Sequence, residues 1–159
     1  MAAKKARKVT RVRPTAKRVP SRTIRSRVMT LDQAIIAVLI GSMMANDHVS
    51  PEESERAHHI TWSMRRFRRR SGDTVGRLIE SVRQRIVADG PAATVSQASK
   101  VIPSSIRPSL LAVAADLMLV DGTLQRQERQ FLGELARQLK IAPALSLQIV
   151  KAISIKNSI

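Results

Sequence analysis

The sequence predicts an all-α fold of about seven helices, built on duplicated helical hairpins in one bundle and preceded by a disordered basic arm. Three observations point there. Aromatic residues suited to strands are nearly absent, with one Trp, two Phe and no Tyr in 159 residues. Gly is scarce, so Ala, Leu, Ile, Val and Met must fill the core, a composition that favours helices. A pattern is also written twice, 75 residues apart. The first copy runs through Ala37-Val38, Met43, Asn46-Asp47-His48-Val49 and Glu53; the second through Ala112-Val113, Met118, Asp121-Gly122-Thr123-Leu124 and Glu128. Each reads as an apolar helix, a tight polar turn, and a second helix with an acid in its first turn. A repeated supersecondary unit constrains architecture more than any single residue does.

The elements follow in order. Residues 1–29 are charge-dense, poor in large apolar residues and broken by Pro14 and Pro20, the signature of a disordered arm. Residues 30–159 form the helical domain, a length that suits one core. Thr30-Leu31-Asp32-Gln33 is a capping box, with Asp32 in the first turn, and opens a helix expected to run to about Ala45. Ser50-Pro51-Glu52-Glu53 starts the next: serine caps, proline takes the first helical position and Glu53 reaches back to the cap amide. That helix is expected to continue to about Arg70, where Ser71-Gly72 ends it. A third spans about Asp73 to Asp89, with Val75, Leu78, Ile79, Val82 and Ile86 on one face, and Asp89-Gly90-Pro91 stops it. Thr94-Val95-Ser96-Gln97 is expected to cap a short helix into Val101. The second copy supplies helices at about 106–120 and 126–140, with Pro108 tolerated in a first turn. Pro143 opens a last helix.

The stretch from Ala115 to Ile141, with Asp121-Gly122, Leu124 and Glu128 inside it, resembles the second half of the TerB tellurite-resistance family, a module also found in a membrane-anchored DnaJ-like co-chaperone. Members carry an Asp-Gly-x-(Val/Leu)-x-x-x-Glu turn in both halves. The second copy matches at all four positions. In the first, Val49, Ser50, Pro51 and Glu53 fit, but Asn46 stands where aspartate is expected and Asp47 where glycine is. The resemblance covers roughly residues 30–157. It implies an all-helical bundle, a stress-response association with a protein partner, and metal binding; it implies no known reaction.

The acidic turns are therefore the first candidate site. Hard divalent cations want several carboxylate and carbonyl oxygens. Asp121 and Glu128 offer two carboxylates from one turn, and Asn46, Asp47 and Glu53 would join them if the hairpins face each other. The competing reading is structural. Glu53 and Glu128 sit where an acid complements a helix N-terminus, and Asp121-Gly122 is a common helix-ending turn. His48 lies in the first turn as a further ligand candidate. Glu55-Arg56-Ala57-His58 fits the Glu-x-x-His of di-iron bundles, but its second-copy equivalents Gln130 and Gly133 cannot ligate.

Charge supplies the second candidate. The net charge is +16, and residues 1–30 hold eleven Lys and Arg and no acid. Lys4, Lys5, Arg7, Lys8, Arg11 and Arg13 in the arm, with Arg65, Arg66, Arg68, Arg69 and Arg70 around Phe67, form a candidate polyanion surface for nucleic acid or anionic lipid. The competing reading of the arginine run is a solvated helix C-terminus, where cations complement the dipole.

The exclusions are equally physical. The absence of cysteine removes disulfides, thiolate nucleophiles and zinc–thiolate sites. No phosphate-cradling glycine loop, nucleophile elbow or His-Glu-x-x-His motif is present, so an enzyme is not expected and no small-molecule substrate is evident. The longest apolar stretches, Ala34–Ala45 and Leu110–Val120, are too short to span a bilayer. The expected location is the cytoplasm, with a peripheral position at the inner membrane face as the alternative.

Overall fold

Thr30 starts the first helix as a capping box: its Oγ1 accepts from the Gln33 amide at 3.3 Å, and its own amide donates to Gln33 Oε1 at 3.0 Å. The computed structural model describes residues 28–45, 51–120 and 122–158, together with the backbone but not the side chain of Glu53. The arm before residue 28 lies outside these residues; Met29, placed in the arm from sequence, is buried in the core. Within the described residues the elements are α1 (Leu31–Met43), α2 (Pro51–Ser63), α3 (Gly72–Asp89), α4 (Pro91–Val101), a 3-10 turn (Ser104–Ile106), α5 (Arg107–Met118), α6 (Arg126–Gln138) and α7 (Pro143–Lys156). No strand occurs among them.

The duplication is reproduced to the residue. Met43 and Met118 end the first helix of each hairpin, Pro51 and Arg126 begin the second, and Ser63 and Gln138 end it, each pair 75 residues apart. Burial keeps the same register: Ile35 and Leu110, Ile36 and Leu111, Ala57 and Leu132, Ile60 and Leu135, Thr61 and Ala136 are all buried. α1 and α5 are the two central helices and pack on each other. Consecutive residues from Ala34 to Leu39 are buried, because α1 is covered by α3 and α4 as well as by α5. A helix apolar all round is stable only when surrounded in this way. α5 is covered by α1, α2, α6 and α7. α6 is amphipathic instead, burying Glu128, Leu132, Leu135 and Ala136 and exposing the rest of its surface.

The two halves also make reciprocal contacts. A Cβ placed on Gly41 of α1 would lie 3.4 Å from Phe131 of α6, while Asp116 of α5 is paired with Arg56 of α2 at 2.8 Å. Positions 41 and 116 correspond, as do 56 and 131. Such an exchange of partners is what a twofold relation between equivalent units produces.

Three expected boundaries shift. α2 stops at Ser63 rather than Arg70. Residues 64–70 form successive turns, with Phe67 N–H bonding to Met64 O at 3.0 Å and Arg70 N–H to Phe67 O at 2.8 Å. The turns bring Phe67 into the core, where it is fully buried, and bring Arg66 and Arg70 onto the carboxylate of Asp32 at the start of α1. Tertiary contact overrides the helical pattern there. α4 begins at Pro91, not near Thr94, with Gly90 between it and α3. Thr94 is buried in the first turn and donates its hydroxyl to Gly90 O at 2.8 Å instead of capping. α1 ends at Met43, two residues earlier than expected. Pro108 falls in the first turn of α5 and Pro143 opens α7, as the sequence requires. α6 closes with Lys140 at φ +55° and the Ile141 amide on Ala136 O at 2.9 Å, a Schellman closure. Among the described residues no single helix is long and apolar enough to cross a membrane.

Candidate functional site

Each hairpin encloses a seven-residue connection, 44–50 and 119–125, and these hold the acidic turns. Asn46, Asp47, His48 and Asp121 lie outside the described residues, as does the Glu53 side chain. The described member of the set is Glu128. It is buried, and its Oε2 accepts from the Gln125 amide at 2.7 Å, closing the cap of α6. This is the structural role weighed for it from sequence, and the acid points back towards the turn as it fills it. Gly122 has φ +76°, a left-handed conformation that glycine adopts without the Cβ clash other residues meet. Among the described residues no three metal-ligating side chains cluster.

The arginine run divides into two sets. Arg66 and Arg70 are bound to Asp32, whose carboxylate is buried at the first turn of α1. Arg65, Arg68 and Arg69 are exposed and take part in no ion pair among the described residues. Their guanidinium groups remain open to solvent anions. Trp62 is half-buried, with its ring 6.0 Å from that of His58. The six arm cations from Lys4 to Arg13 lie outside the described residues.

A third cluster was not found from sequence. Arg56, Lys156 and Asn157 all converge on Oδ1 of Asp116, at 2.8, 2.8 and 3.0 Å. Asn157 also donates to Leu119 O at 3.3 Å and accepts from Arg56 at 3.4 Å. The Asp116 side chain is 14% exposed. Burial opposes its ionisation, but hydrogen bonds from Lys156, Arg56 and Asn157 more than offset this, and its carboxyl titrates below its ordinary value. Beside the cluster lies a cleft of about 550 Å³ between α2 and the ends of α5 and α7. The only sequence signal was Asp116 itself, an acid interrupting an apolar stretch; its partners lie 40 to 60 residues away along the chain.

These features define a class: an all-helical scaffold of two related hairpins, with charged groups at its turns and seams. The family model described as Tellurite resistance protein TerB matches residues 32–150, and the chain belongs to that family. The family is in general a non-catalytic one. Neither a curated protein nor a solved structure matches the chain.

Proposed function

We propose that this chain is a stress-response interaction module, associated with tellurite resistance, that works by docking to a protein partner and catalyses no reaction. It acts in the cytoplasm or peripherally at the inner membrane face. Its inter-helix turns bind a divalent cation, held by Asp121 and Glu128 in the second hairpin and by Asn46, Asp47 and Glu53 in the first. The observation that carries the reading is the residue-for-residue repeat of the hairpin bounds, which sets both acidic turns at equivalent places in a family fold. The donor set is almost all oxygen, which suits calcium or magnesium better than zinc. Glu128 would have to share or surrender the Gln125 amide to reach a cation, so Asp121 carries more of the binding.

The test is the melting temperature of the full chain titrated with calcium, magnesium and zinc. Binding to the folded state raises it with concentration. Asp121→Ala should abolish the rise, and Asn46→Asp should enlarge it by adding a carboxylate where the family pattern has one. A flat response to all three ions would sink the metal reading and leave the docking module.

A second reading has its own support in the exposed, unpaired Arg65, Arg68 and Arg69. In that reading the loop and the basic arm bind a nucleic acid or an anionic lipid surface. Binding of duplex DNA or anionic vesicles should then weaken steeply with salt. Replacing the three arginines with Gln should lower both affinity and salt slope; an unchanged slope would remove the loop from the interface.

A further inference from the structure

The cleft beside Asp116 differs from its counterpart in the other hairpin in a way packing alone does not require. Position 116 corresponds to Gly41 and position 56 to Phe131. In the first case the seam is closed by apolar contact, with the Phe131 ring against the glycine. In the second, the same two positions carry an aspartate and an arginine, and the seam stays open as a cleft. Partly buried ion pairs are costly to desolvate and often stabilise no better than an apolar pair of the same shape. An apolar closure is already present in this fold, so the charged set has another use.

The charges indicate what that use is. Two cations, Arg56 and Lys156, meet one carboxylate, leaving one positive charge in excess at the cleft wall. Both hydrogen bonds of Arg56 leave from Nη2, while its Nε is sealed from solvent and has no acceptor. Lys156 spends one N–H on Asp116, and its side chain is 56% exposed, so its remaining donors are accessible. His59 and Ser63 stand on the same wall. Asp116 thus holds the two cations in place without exhausting them. The apolar floor of Ile60 and Val120 leaves room for an organic body beside the charged group.

We propose that this cleft binds a compact oxyanion of the phosphate type, either as the free ion or as the monoester of a small metabolite. Lys156 and Arg56 contact its oxygens, and Asp116 acts as the positioning residue for both. The site is independent of the acidic turns and of the Arg65–Arg70 loop. The full chain, labelled with nitrogen-15, is titrated at constant ionic strength with inorganic phosphate in one arm and glycerol 3-phosphate in the other. Saturable shifts at His59, Lys156 and Asn157 are expected in at least one arm, with tighter binding of the ester if the floor is used. Equal or weaker binding of the ester assigns the site to the free ion. Lys156→Met keeps the aliphatic stem and the Arg56–Asp116 pair, so it should fold; it should weaken binding about tenfold, the loss of one charge-assisted contact. Shifts that are absent, that centre on Arg65–Arg70, or that are unaffected by Lys156→Met in a folded protein would overturn the proposal.

Discussion

Gly41 has a necessary role at its crossing. A Cβ there would stand 2.5 Å from Val95 Cγ2 of α4, and Val95 is itself buried, so its side chain has little room to move. Gly41→Ala is expected to destabilise the protein by about 1–3 kcal/mol through overpacking, despite alanine's better helix propensity. Thermal unfolding measures it, and adding Val95→Ala should recover part of the loss if the clash is the cause. Asp116, at the equivalent place, makes a prediction with a pH signature. Its folded pKa lies below the unfolded one, so its stabilising contribution is fully present above the unfolded value. It is lost as pH falls through the folded value, below about pH 4. Asp116→Asn should therefore be less stable than the parent at neutral pH, and the gap should close on acidification. A gap constant from pH 7 to pH 2 would show that the carboxylate charge is not what its partners need.

Elements were legible from sequence where local signals decide them and illegible where distant partners do. The Thr30–Gln33 box, the prolines at the starts of α4, α5 and α7, and Gly90 between α3 and α4 act within a turn of where they stand. The 64–70 loop is the opposite case. Its arginines read as a helix end. Its conformation answers to Asp32, more than thirty residues earlier, and to the core pocket that Phe67 enters. Phe67→Ala should cost about 3–5 kcal/mol, the usual loss for a fully buried aromatic. It should also release the loop to proteolysis at Arg65–Arg70 well below the melting temperature. If the variant melts like the parent, the loop does not depend on that anchor. Glu128 shows the limit at a finer scale. Sequence allowed both a ligand and a cap, and the structure puts its carboxylate on the Gln125 amide.

At the scale of the molecule the buried groups lie from Met29 onward, and the basic arm is poor in large apolar residues. Removing residues 1–27 is expected to leave the melting temperature within about one or two degrees, since little apolar area is there to bury. A large drop would mean that the arm docks on the helices. The sequence by itself determined the helical class, the helix starts and the two-copy plan. These follow from composition, periodicity and local capping, which act over a few residues, and from a repeat visible at 75 residues. Only the tertiary structure decided how the copies differ. Gly41 meets Phe131 and Val95 in one half, while Asp116 gathers Arg56, Lys156 and Asn157 in the other. Side chains so far apart in the chain carry no local pattern. Their contact is set by the packing of helices around α1 and α5, and a sequence read a few residues at a time does not contain that packing.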